Sequence, residues 1–162
     1  MTTADLPQLV REFLLERTTL LMRHEDVARQ VTDYDVNNTY QNVINREETH
    51  VSWLQHALVD LGEPIPADPP RPAVATSTGA GAWKALAADD ARASAQFVEA
   101  WRPRVESITN ARHKEMLKVV LGEMLEHMRF FNQGAAGRTD LLGTSLAIND
   151  HRGTVLSARW VE

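Results

Sequence analysis

Five of the seven prolines in this 162-residue chain fall between Pro64 and Pro72. Proline fixes φ and lacks an amide hydrogen, so the cluster can sit neither inside a helix nor inside a sheet ladder. The surrounding stretch from Gly62 to Gly81, GEPIPADPPRPAVATSTGAG, predicts one long irregular connection. Such a connection is unusual within a compact domain and needs a functional or topological reason.

On each side of it lie two stretches with helical periodicity. The first helix is predicted from Asp5 to Val31, with Asp5 as N-cap and Pro7 in the first turn. Its apolar residues Leu6, Leu9, Phe13, Leu20, Val27 and Val31 recur at three- and four-residue steps. The segment TDYDVNN interrupts that pattern. A second helix is predicted from Asn38 to Leu61, with Val43, Ile44, Val51, Leu54 and Leu58 on one side and Gly62 then Pro64 as its stop.

The third helix begins between Trp83 and Asp90 and ends near Ile108, and Pro103 should kink or split it. The fourth runs from Ala111 to Asn132, its apolar face including Met116, Leu117, Val120, Met124, Met128 and Phe131. No state is assigned to the tail, residues 134–162. The fold class expected is all-α: an antiparallel four-helix bundle over residues 1–133, with a crossover at 62–82 between helices 2 and 3. A ~25-residue helix is ~38 Å long, and about twenty extended residues span that length. Bundles with one long crossover are built this way.

Composition narrows the chemistry. The chain has no cysteine, which excludes disulfides, thiolate zinc sites, iron–sulfur clusters and a cysteine nucleophile. A net charge of −5 gives no support for general nucleic-acid or anionic-membrane binding. No apolar run approaches the ~20 residues that span a bilayer, and the first residues, MTTADLPQLVREFLLER, lack the apolar core of a signal peptide. A cytoplasmic location is therefore expected. No P-loop, G-x-G-x-x-G or G-x-S-x-G motif occurs.

The ionisable residues that project inward carry more information. A helix turns ~100° per residue, so with Val43 at zero the apolar face of helix 2 centres near ~30°. Glu47 falls at ~40° and His50 at ~340°, both within that face, whereas Glu48 and His56 fall outside it. In helix 4, Glu123 and His127 stand at i and i+4 and can reach a shared site. In helix 1, Glu16 is placed between Phe13 and Leu20 on the inward seam, with His24 on the same seam two turns later. Asp90 projects onto the Leu86–Phe97–Trp101 face of helix 3, although Asp89 or Asp90 could equally cap that helix. The candidate set is Glu16, Glu47, His50, Asp90, Glu123 and His127. Four carboxylates and two imidazoles on four helices suit two bridged divalent ions, because carboxylates neutralise charge and imidazoles suit iron.

The segment INREETHVSWLQHALVDLGEPIP resembles the ligand helix of the ferritin-like superfamily, including bacterioferritin and rubrerythrin-type proteins. It shows E-x-x-H, then an apolar-aromatic run ending in LG and a proline. The segment LGEMLEHMRFF resembles the fourth-helix motif less closely, since its acid stands four residues before His127 rather than three. By resemblance, Glu16 is the terminal carboxylate of helix 1, Glu47 a bridging carboxylate and His50 its imidazole. Asp90 is the helix 3 counterpart of Glu16, and Glu123 with His127 forms the second bridging pair.

The resemblance implies two iron ions, or manganese, and oxygen, peroxide or ferrous-iron oxidation chemistry. A homo-oligomer is expected, with a dimer favoured. Without cysteines there is no rubredoxin-type iron site, so electrons would come from Fe²⁺, a substrate or a separate donor. Two other readings are a metal-free ferritin-like scaffold or binding protein, and a dimetal hydroxylase acting on an organic or RNA substrate. The remaining histidines, His24, His56, His113 and His151, are read as core, partner-contact or exposed residues.

Overall fold

The computed structural model describes residues 5–138, 140 and 141. Among them the chain forms four helices and no strand: α1 (Leu6–Ala28), α2 (Tyr34–Asp60), α3 (Trp83–Glu106) and α4 (Ala111–Ala135). The part of the expected tail from residue 142 onward, with His151, lies outside the described residues.

Local capping chemistry explains the boundaries. The TDYDVNN segment is the start of α2 rather than a break before it. Asp33 takes extended backbone angles and its side chain accepts the Val36 amide at 2.9 Å, satisfying a donor that has no partner within the helix. Asn110 does the same for α4, accepting the His113 amide at 3.1 Å. At the other end of α2, Gly62 adopts φ 80°. Its amide bonds the Val59 carbonyl, and the Glu63 amide bonds the Leu58 carbonyl. This is the Schellman arrangement, which needs a left-handed residue that glycine supplies without strain.

Two alternatives left open for α3 are decided. The helix starts at Trp83, so Asp90 lies inside it and caps nothing. Pro103 does not split it either: α3 continues to Glu106, and the Ser107 amide still bonds the Pro103 carbonyl. Pro103 forgoes one bond, to the Glu99 carbonyl, while its own carbonyl still closes the last turn.

The proline-rich crossover climbs along α1. Glu63 pairs with Arg11 at 3.0 Å. Arg71 then reaches the Met22 carbonyl, Glu25 and Asp26. Near the far end, Gln30 bonds the Ala75 carbonyl and the Ser77 amide. Contacts between α1 and α2 run in the opposite sense. Asn37 donates to the Ala28 carbonyl beside the short loop, while Arg17 meets Glu47 further along. The crossover therefore carries the chain back to the end of the bundle where α1 stops and α2 starts, and α3 begins there.

The core is two apolar blocks. One joins Leu6–Leu14 of α1 with Leu54, Leu58, Phe97, Trp101, Val105, Leu117 and Met124. The other joins Leu21–Val31 with Val36, Tyr40, Val43, Trp83, Ala87, Ala91 and Phe131. Between them, buried polar residues interrupt every helix: Arg17 and His24 in α1, Glu47 and His50 in α2, Ser94 in α3 and His127 in α4. No helix among the described residues is long and apolar enough to cross a membrane.

Phe13 is fully buried and packs edge-on against Phe97 and Trp101, with ring centroids 5.0 and 4.9 Å away. Phe13→Ala leaves a cavity in the first block and should lower unfolding free energy by ~3–5 kcal/mol, read by urea denaturation.

Candidate functional site

The buried polar layer is organised around Glu47. Its carboxylate accepts from Arg17 Nη2 at 2.6 Å and from His24 Nδ1 at 2.8 and 2.9 Å. His127 Nδ1 stands 3.6 Å from Glu47 Oε1, beyond hydrogen-bond reach. The Arg17 side chain is 0% exposed and that of Glu47 1%, so this is a charge pair withdrawn from water. Burial pushes the Glu47 carboxyl up, but the Arg17 guanidinium and the His24 imidazole outweigh it and hold the group well below the usual carboxylate range.

A second set lies toward the surface. His50 is buried and its Nε2 donates to Glu123 Oε2 at 2.7 Å. Arg46 grips the same carboxylate through Nε and Nη2, both at 2.6 Å, a two-point geometry that suits guanidinium. The Arg46 guanidinium also lies over the Trp53 ring, 5.2 Å from its centroid. The hydrogen bond from Arg46 above all pushes Glu123 down to about 2, against some burial. Burial first, then the Arg17 charge, pushes the His50 imidazole down to about 4, so it is neutral at physiological pH. The His50 and His127 rings stack with centroids 6.1 Å apart.

Asp90 is fully buried and forms a third set. Arg23 Nε donates to its Oδ1 and the Tyr40 hydroxyl to its Oδ2, each at 2.6 Å. Burial, then the Asp90 charge, pushes the Tyr40 phenol up.

Of the six residues chosen from sequence, Glu47, His50, Asp90 and His127 are buried and Glu123 is half-buried. Glu16 is not on the inward seam. It is exposed, and its carboxylate accepts the Trp101 indole N–H at 2.7 Å. The α1 residue that points inward is its neighbour Arg17. His24, read from the sequence as a non-ligand histidine, touches Glu47. Arg17 shares a helix face with Phe13 and His24, at steps of four and seven residues. That periodicity was the available signal, outweighed by the rarity of buried arginine.

A dinuclear centre needs carboxylate oxygens free to face the ions. Here three of the candidate carboxylates each face an arginine, Glu47 with Arg17, Asp90 with Arg23 and Glu123 with Arg46, and the fourth lies on the surface. Among the described residues, no group of three or more His, Asp or Glu side chains is placed to hold a metal ion. The residues as arranged do not fit two bridged ions. Buried nitrogens do remain without partners: Arg17 Nε and Nη1, His24 Nε2, His50 Nδ1 and His127 Nδ1.

Apart from this layer, Trp53, His56, Ala57 and Asp60 of α2 face Arg112 and Met116 of α4 across a cleft of about 240 Å³. In comparisons with known proteins, no family model, no curated protein and no solved structure matches this chain.

Two predictions follow from the charges. Glu47→Gln leaves the Arg17 guanidinium buried without its counter-charge, and should cost ~3–5 kcal/mol of stability in chemical denaturation. Arg17→Met with Glu47→Leu, which removes both charges, should recover most of it. The folded state also holds His50 neutral, so stability is full above the imidazole's ordinary 6.5 and falls as pH drops toward about 4. The depressed Glu47 and Glu123 carboxyls extend the loss to lower pH, because their stabilisation disappears as they protonate. His50→Gln should flatten the melting-temperature profile between pH 6.5 and 4 and leave the more acidic limb in place.

Proposed function

We propose that this chain is a ferritin-like bundle, with each helical hairpin antiparallel, that acts as a metal-independent binding or scaffold domain. The observation that carries the reading is the pairing of each buried or half-buried candidate carboxylate with an arginine. In a dimetal bundle, divalent ions balance the inward carboxylates. In this chain guanidinium groups provide that balance, and they bind carboxylate through directional N–H donors. Arginine has no lone pair to offer a metal and stays charged at any ordinary pH. The cleft beside Trp53 and Met116 is lined by both apolar and polar side chains, including His56, Asp60 and Arg112, a mix found in small-ligand sites.

A second reading, a dimetal protein with oxygen, peroxide or ferrous-iron oxidation chemistry, draws on the partnerless imidazole nitrogens of His50 and His127. It requires Arg17 and Arg46 to release Glu47 and Glu123. One experiment separates the two: anaerobic incubation of the purified protein with Fe²⁺ or Mn²⁺, removal of free ions, elemental analysis, then exposure of the iron sample to oxygen. Metal independence predicts no stoichiometric retained metal and ferrous oxidation no faster than in buffer. One or two ions retained per chain, lost in Glu47→Ala and His50→Ala, would establish the dimetal reading instead.

A further inference from the structure

The interior of the bundle holds ligand-type side chains and a cation at the same point. Glu47 of α2, His24 of α1 and His127 of α4 converge, with His24 Nδ1 2.8 Å and His127 Nδ1 3.6 Å from the Glu47 oxygens. All three are buried, and His127 Nδ1 has no hydrogen-bond partner. One carboxylate and two imidazoles from three helices are donors that suit zinc, cobalt or iron. Even so, they do not form a metal site.

Arg17 stands against this cluster. Its guanidinium is wholly buried and touches Glu47 through Nη2 at 2.6 Å. Its Nε and Nη1 have no partners. Arginine–carboxylate pairs are frequently two-point, as at Arg46, whereas this one uses a single nitrogen. A fixed positive charge in a low-dielectric interior repels a divalent ion at that distance.

We infer that Arg17 is the resident cation of the bundle centre, and that Glu47 and His24, now hydrogen-bonded to each other, form with His127 a latent divalent-cation site that the Arg17 charge keeps closed. The inference rests on the metal-independent reading and extends it: one side chain sets the metal preference of the whole interior. Removing the guanidinium charge uncovers Glu47. Replacing it with a carboxylate adds a ligand from α1, whereas replacing it with an ammonium keeps the repulsion.

The test uses Co²⁺ as the probe, with titration calorimetry and visible d–d absorption as readouts, on wild type, Arg17→Glu, Arg17→Gln and Arg17→Lys. Wild type and Arg17→Lys should show no stoichiometric binding. Arg17→Glu should bind about one Co²⁺ per chain at least ~100-fold tighter than wild type, with Arg17→Gln between them. Adding Glu47→Gln or His127→Gln to Arg17→Glu should remove the gain. If Arg17→Glu or Arg17→Gln is unfolded without metal, helical circular dichroism regained on adding Co²⁺ supports the inference, and failure to regain it overturns it. A folded Arg17→Glu that binds no Co²⁺ also overturns it, while the metal-independent reading stands. Tight Co²⁺ binding by Arg17→Lys would show that charge is not the cause. Glu47-dependent stoichiometric binding by wild type would overturn both readings.

Discussion

The contact between Arg17 and Glu47 is the constraint on which the rest of this structure depends. Removing two ions from water costs several kcal/mol each, and the cost is offset only while both stay paired. Here the pair spans two helices, at 2.6 Å, with His24 completing the carboxylate from a further position on α1. Sliding α1 against α2 by one turn would strand both charges in an apolar environment, so the pair sets the register of the hairpin. It also shapes the core. Apolar residues pack above and below it as separate blocks, and each helix carries a polar interruption at that level.

The same arrangement governs what the interior can do chemically. Inward carboxylates on a bundle can face metal ions or be balanced by guanidinium groups. Arg17, Arg23 and Arg46 each pair with a separate carboxylate. The layer is a network of fixed charges, with the neutral His50 wedged between the buried pair and the half-exposed Glu123–Arg46 pair. The positive charge built into its side chains underlies its proposed lack of metal chemistry and, after burial, adds to the lowering of the His50 imidazole.

Much of this was legible in the chain itself. The proline cluster marked the crossover, the three- and four-residue periodicity marked four helices, and Glu47 with His50 could be placed inward because both lie on one narrow apolar face. Boundaries were harder to read. The start of α2 depends on whether Asp33 turns its carboxylate back to the Val36 amide. The start of α3 is marked by the burial of Trp83 rather than by a capping side chain. Glu16 was misplaced because it and Arg17 are adjacent, so a rotation of ~100° decides which one enters the core. Charge alone favours neither.

The sequence by itself determined the helical architecture, the long crossover, the absence of cysteine chemistry and the presence of acids and imidazoles on inward faces. These follow from local rules: the period of a helix, the backbone limits of proline and the chemistry of each side chain. Only the tertiary structure decided what those inward residues face. Arg17 lies 30 residues from Glu47 and Arg23 lies 67 from Asp90, and no local rule joins residues so far apart. Whether a buried carboxylate meets a guanidinium or stays free for a metal is settled only when the four helices pack and every buried charge has to find its partner.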